Sequence, residues 1–467
     1  MLLSHRRTFV AGAVASLLPL PLGAQAARHV LRLQTRQIDV NGKAATRYGI
    51  AQSSGAYGLT LDEGDEFNVR LENGLSVPSG IHWHGLTPPW RQDGVPWISA
   101  PPIPARGSAD YRFPAKPAGT RWMHSHFGLQ EQDLLAAPLI IRETAAIASG
   151  VQEVVVMFED FSWTPPQEIL AGLRRPKPMV MPMGRGAGGG GMSMGKPDLN
   201  DVTFDAFLAN DRTLADPAVF DVERGAQVRL RLINGSASSN FVVDLGALDG
   251  TLVTVDGNPV TPRPVRRFPL AIAQRADFIV RIPPDAAAAL PILAVCEGRA
   301  LRTGFLLRPR GAAVVKVSET AEAAAPALTL ADEKALRAAV PLSSRRVDRS
   351  VPVDLIGDMA AYTWGLQVHG MGGAPVTVDR GERVELVMRN TTMMSHPMHL
   401  HGHNFQVTEI DGEKIAGAVR DCVLVTPMAT VKVVFDADNP GLWPFHCHNL
   451  YHMAAGMFTT VVYRGFS

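Results

Sequence analysis

"LDEGDEFNVRLEN", residues 61–73, decides the fold. Gly64 marks a turn, and after it Phe67, Val69 and Leu71 alternate with Asn68, Arg70 and Glu72. Alternation with period two is the signature of a strand with one buried face. The phrase returns twice, as "DVERGAQVRLRLIN" ending at Asn234 and "VDRGERVELVMRN" ending at Asn390. Each time a glycine (Gly64, Gly225, Gly381) stands nine residues before the asparagine. The asparagines lie 161 and 156 residues apart, too far for a solenoid unit and right for a whole domain. The expected fold is all-β: three copies of one β-sandwich, at about 28–145, 150–310 and 350–467.

The bulk numbers agree. A chain of 467 residues calls for two or three domains, and 43 glycines with 35 prolines suit turns and short strands. A net charge of +1 gives no reason to expect nucleic acid or a membrane surface as partner. Residues 1–27 read as an export signal, with Arg6 and Arg7, an apolar run, and small residues at Ala24-Gln25-Ala26. Adjacent arginines before Thr8 and Phe9 fit the twin-arginine export machinery, and a periplasmic destination. Pro19 and Pro21 break that apolar run, and no later stretch has the length to span a bilayer without charge. Residues 311–349 read as a linker with a short helix, and the glycine-rich segment 176–197 as a loop in the middle copy. Only three cysteines are present, so a disulfide framework does not hold the fold; Cys296 and Cys422 either pair or are both buried and reduced.

Eleven of the 14 histidines fall in four clusters. "HWHG" holds His82 and His84, and "HSH" holds His124 and His126; "HPMHLHGH" holds His396, His399, His401 and His403. "HCHNLYHMAAGM" holds His446, His448 and His452. Two clusters fall in the first copy, two in the third and none in the middle one. On a strand, histidines two apart share a face at about 7 Å, where they can bind adjacent metal ions or flank a bridging ligand. Paired clusters in two related domains imply a multinuclear site where the first and third copies meet. In "HCH" the two histidines face one side and Cys447 the other. The strand then joins two metal centres, which has a use only for a redox-active metal; zinc gains nothing from it. Cys447, His452 and Met457 supply three of the four ligands of a blue-copper electron-transfer site, and His396 is the best candidate for the fourth.

Together these clusters resemble the copper signatures of the three-domain multicopper oxidases, the laccases and bacterial cuprous oxidases. The likeness spans nearly the whole chain after the signal. It implies three cupredoxin-like Greek-key sandwiches and four copper ions. By motif position it implies a type 1 copper at His396, Cys447 and His452 with Met457 axial, and a type 2 copper at His82 and His399. It implies a type 3 pair at His84, His124, His126, His401, His446 and His448. The implied activity takes electrons singly from a reductant, moves them through Cys447, and reduces O2 to two waters. Asp93 in "WRQDGVPW" stands where the family carries an acid near the trinuclear cluster, and is the expected proton relay. Many bacterial relatives carry a glutamate after the histidine matching His452; here Met453 stands there, and Glu131 and Asp133 are candidate substitutes. His403 has no family role and is expected to be structural or a hydrogen-bond donor to a ligand. His5 lies in the signal, and His29 and His369 have no partner pattern.

The reductant is the least legible part. Phenols or aromatic amines fit a laccase-like oxidase, and Cu(I) fits a cuprous oxidase; a non-catalytic copper carrier or assembly factor on the same fold is a third reading. Met179, Met181, Met183, Met192 and Met194 offer soft thioethers to Cu(I), or are incidental to a flexible insertion. Met393 and Met394 either line the approach to the type 1 site or belong to the core.

Overall fold

The computed structural model describes residues 28–175, 199–370 and 375–466. Residues 1–27, expected to be an export signal, and the Met/Gly-rich segment 176–197 lie outside the described residues. The three repeated phrases take up equivalent places. Glu66–Asn73, Gln227–Asn234 and Arg383–Asn390 are strands, each flanked by one parallel and one antiparallel neighbour. Gly64, Gly225 and Gly381 precede them at φ +95°, +73° and +88°, a left-handed backbone that glycine adopts without strain.

The closing asparagines explain why the phrase recurs. Asn73 donates from Nδ2 to the carbonyls of Val77, Ile103 and Pro104, and its Oδ1 accepts from the Leu75 N–H. Asn234 does the same with Ser239, Leu270 and Ser236, and Asn390 with Met394, Val425 and Thr392. A buried amide with its bonds made inside pins the loop that follows. Those loops lead into Ile81–His84, Phe241–Asp244 and His396–Leu400. So one device aims three equivalent strands, and two of them carry histidines.

In the first domain, Lys43–Gln52, His29–Val40, Glu66–Asn73 and Ser108–Pro114 form one sheet. Leu59–Asp62, Ala136–Arg142, Gly119–Ser125 and Ile81–His84 form the other. The middle domain packs a six-stranded on a five-stranded sheet, and the third a seven-stranded on a five-stranded one. Two-layer sandwiches of this kind bury the alternating inner residues, such as Phe67, Val69 and Leu71, and expose the outer ones. The architecture is the expected three cupredoxin-like sandwiches.

Between Pro309 and Arg349 lies one short helix, Ala331–Ala335, and the segment bridges to the middle domain at Ala288↔Ala313, Glu297↔Ala325, Leu301↔Thr320 and Val260↔Ala338. It is laid along that domain rather than spanning free space. Cys296 and Cys422 are buried free thiols, which closes the alternative that they pair. Among the described residues no helix is long and apolar enough to cross a membrane.

Candidate metal centre

The histidine strands pair with each other in register. His82 lies opposite His124 where Ile81–His84 meets Gly119–Ser125, and His399 lies opposite His446 where His396–Leu400 meets Leu442–Cys447. The equivalent middle-domain strands put Phe241 opposite Cys296, both in the apolar core. The two histidine faces meet: His399 Nε2 is 3.5 Å from His82 Nε2.

Eight imidazoles gather there, and polar contacts engage one nitrogen of six of them. His401 Nδ1 bonds Asp93 Oδ2 (2.9 Å), His399 Nδ1 the Asp421 carbonyl (2.7 Å), and His446 Nδ1 the Cys447 carbonyl (2.9 Å). His82 Nδ1 sits 3.3 Å from the Asp93 carbonyl and 3.1 Å from Oδ1. His124 Nδ1 is 2.7 Å from Glu131 Oε2. His84 is reversed: its Nε2 bonds Asp421 Oδ1 at 3.0 Å. A ring N–H held by an acceptor leaves the other nitrogen as a lone pair for metal. In agreement, His84 Nδ1 and the Nε2 atoms of His124, His126 and His448 are buried without a hydrogen-bond partner among the described residues.

Ring separations allow more than one grouping, since His84 and His399 (3.7 Å), His82 and His401 (3.8 Å) and His399 and His401 (4.7 Å) are also close. His126, His401 and His446 lie 5.1–5.2 Å apart, centroid to centroid. His84, His124 and His448 lie 4.9–5.6 Å apart, and His82 faces His399 at 5.7 Å. Two trios and a pair can hold three metal ions. Burial, with neighbouring imidazoles adding to it, pushes His84, His124, His126, His399, His401 and His448 well below the ordinary 6.5, and burial takes His446 to about 3. Neutral rings at neutral pH are what a metal requires.

The second cluster lies across the strand. His446 and His448 serve one side of it, while Cys447 Sγ faces His396 Nδ1 at 3.8 Å and His452 Nδ1 at 3.7 Å. The chain returns through a helical turn, Leu450–Ala454, whose first N–H groups, on Tyr451 and His452, bond the Asn449 side chain. Gly456, at φ +118°, ends it, and the Met457 carbonyl then accepts from the Cys447 N–H (3.1 Å). Met457 is buried in the same core cluster as Cys447. On the outer side, His396 Nε2 is 2.8 Å from Thr392 Oγ1, and His452 Nε2 lies 2.7 Å from Asp201 Oδ2 as an ion-pair contact without hydrogen-bond geometry. Trp364 packs at a tilt of 31° against His452 with ring centroids 4.0 Å apart.

Comparison with known proteins decides the family. Three family models described as multicopper oxidase match residues 32–146, 183–301 and 345–465. Multicopper oxidase MmcO of Mycobacterium tuberculosis is 31% identical over 442 residues, covering 92% of this chain and 86% of that protein. The chain is a multicopper oxidase. Copper resistance protein A of Escherichia coli is 29% identical, with 99% of each chain covered. The crystal structure of a multi-copper oxidase from Pseudomonas thermotolerans superposes with a TM-score of 0.69 at 24% identity, covering 94% of this chain and 100% of that one.

This multicopper oxidase is a copper-dependent oxidoreductase that couples one-electron oxidation of a reductant to four-electron reduction of O2 to water. The family's type 1, type 2 and type 3 coppers fit the donors present: a buried thiol with imidazoles on one side of a strand, imidazoles alone on the other. The sequence missed the residues that orient the ligands, Asp421, Asp201 and Thr392. Each is a single polar residue with no motif around it. His403, expected to be structural or a hydrogen-bond donor to a ligand, bonds the His401 carbonyl (3.0 Å) and the Tyr463 hydroxyl (2.6 Å); the strand ends at Leu400 and Gly402 turns before it at φ +67°. Of the two candidate acids, Glu131 touches the cluster; Asp133 is held elsewhere, with the Tyr48 N–H on its carbonyl and Arg47 as its charged neighbour. His369 pairs with Asp354 (2.6 Å) on the far side of the third domain's sheet pairings. Met394 is buried in the core.

Proposed function

We propose that this multicopper oxidase is laccase-like, taking single electrons from a small reductant at His452 and passing them through Cys447 to the eight-histidine centre. The observation that carries this is Cys447: its sulfur lies within 3.8 Å of two imidazoles, while the residues on either side of it face the other cluster. In this reading His396, Cys447, His452 and axial Met457 hold type 1 copper, and His82 and His399 hold type 2. The trio His126, His401 and His446 holds one type 3 ion and the trio His84, His124 and His448 the other. Bound copper supplies one-electron chemistry at the first centre and O2 binding and reduction at the second.

Asp93 serves as the proton relay. It is fully buried and touches both His82 and His401, so it reaches two of the three metal positions at once. Asp93→Asn keeps the shape and a hydrogen bond but removes the exchangeable acid. Turnover is expected to fall about a hundredfold at full copper occupancy, with anaerobic reduction of the type 1 centre unchanged. Equal turnover in wild type and variant would remove the role.

A cuprous oxidase is the second reading, favoured by the match to copper resistance protein A. Copper counting with absorption and EPR spectra on the purified holoprotein tests the class: four coppers and a blue band are expected. A panel of phenols and Cu(I), with and without residues 176–197, tests the reductant. If the methionine segment recruits Cu(I), its deletion lowers cuprous oxidation and spares or raises phenol turnover; unchanged rates for both reject that role. The paired arginines Arg6 and Arg7, followed by an apolar run, support export to the periplasm by the twin-arginine route.

A further inference from the structure

Glu159 lies on the strand Gln152–Phe161, opposite Leu208, at the seam between the first and middle domains. It is 1% exposed, and neither carboxyl oxygen has a hydrogen-bond partner among the described residues. Such burial is costly unless the group is neutral or bridged by ordered water. Charged and titratable neighbours face it from several elements: Arg36 on His29–Val40, Tyr57, Asp211 after Ala206–Ala209, Asp160 beside it, and Glu131.

Two of these groups border the surface and one touches the metal centre. At the outer end a surface hollow of about 360 Å³ is lined by Arg36, Asp39, Asn210, Asp211 and Thr213. Arg36 and Asp211 form an ion pair, yet Arg36 Nη2 and Asp211 Oδ1 are buried and unpartnered, like the Glu159 oxygens. At the inner end Glu131 Oε1 is unpartnered too, while Oε2 holds His124. Gln132 clasps Asp160 at both its carbonyl and its carboxylate (3.2 Å each), which fixes residues 131–132 beside 159–160. A row of buried polar atoms without protein partners is the setting in which internal water bridges from group to group.

We propose that Glu159 is the proton-passing residue of an intake route that runs from the Arg36–Asp211 hollow along the interdomain seam to the His84–His124–His448 side of the trinuclear centre. Asp93 serves the opposite side, at His82 and His401. Each O2 takes up four electrons, supplied by the reductant, and four protons, and leaves as two waters. Glu159 gives its proton inward and takes another from the hollow, so it is unchanged over a cycle. Burial, reinforced by Asp211, pushes its carboxyl well above the ordinary 4.5 against the pull of Arg36, so it holds a proton to give. The inference rests on O2 reduction and not on the choice of reductant.

Infrared spectroscopy of the copper-free protein near neutral pH is expected to show a protonated-carboxyl stretch that shifts in D2O and is missing in Glu159→Gln. With copper loaded, Glu159→Gln is expected to keep its blue colour and its rate of anaerobic reduction. Its O2 turnover falls about tenfold or more, with a larger solvent isotope effect. Glu159→Leu separates this role from a structural one. Removing an unpartnered buried acid raises the melting temperature. The gain widens as pH rises above 4.5, because a carboxyl whose folded pKa is raised loses stability in that direction. Turnover falls in this variant as well. Unchanged turnover and isotope effect in Glu159→Gln, or in Glu159→Leu if the former does not fold, overturns the proposal. So does an infrared band that survives the substitution.

Discussion

Changing Cys447 to serine yields a folded, colourless protein that no longer turns over O2. The two side chains differ by one atom, and Cys447 is fully buried among residues that stay in place, so the fold has little to lose. The lost sulfur faces both His396 and His452, and a hydroxyl does not replace thiolate in a blue-copper site. It is also the junction between the centres. His446 and His448 are its chain neighbours, and the His446 ring is tied back to the Cys447 carbonyl by a 2.9 Å bond, so bonded and hydrogen-bonded paths both start at this residue. Steady O2 uptake is expected to fall by at least about 10³-fold, a barrier increase of about 4 kcal/mol. An oxygen electrode and a visible spectrum on the copper-loaded variant give the answer, and appreciable steady uptake would defeat the electron route.

Replacing Asp421 by alanine is expected to have the largest effect on stability. Asp421 is buried where the three domains meet. Its carboxylate takes a two-pronged contact from Arg275, lies 3.5 Å from Arg121, and accepts from His84 Nε2. Around it Arg420 pairs with Asp256 and Glu333, so three buried arginines face three buried acids. Alanine leaves Arg275 and Arg121 one charge short in a site without water access, a loss of about 3–5 kcal/mol. It also frees the His84 ring to turn, so copper at the His84–His124–His448 trio weakens by about 10–100-fold. The denaturation midpoint and the copper count should fall together. Asp421→Asn, which keeps an acceptor but not the charge, should fall between wild type and alanine. A full copper count with an unshifted midpoint in Asp421→Ala would reject both roles.

What the sequence revealed was what repeats or clusters. Three strands with the same glycine and asparagine declared three sandwiches, because a period of two and an amide-pinned turn leave local marks. The paired histidines were legible for the same reason, since alternation along one strand sets which face they share. Where that alternation stops was not legible: the strand ends at Leu400 and the chain turns at Gly402, and nothing in "HGHN" announces it. Asp421, Asp201 and Glu159 left no mark. The partners of the first two lie far off in the chain (337 residues separate Asp421 from His84), Glu159 has no hydrogen-bond partner among the described residues, and an isolated acid reads the same on a surface as at a junction. The side chain that bonds His396, Thr392, is only four residues away, but threonine is too common there to be singled out.

The trinuclear site takes half its imidazoles from strands near the start of the chain and half from strands near its end, with 317 residues between His82 and His399. A growing polypeptide therefore holds only half a binding site until its last segment has emerged and docked. Loading with metal is then the final event of maturation, and a product truncated before residue 446 should leave biosynthesis unable to retain the ion cluster at all.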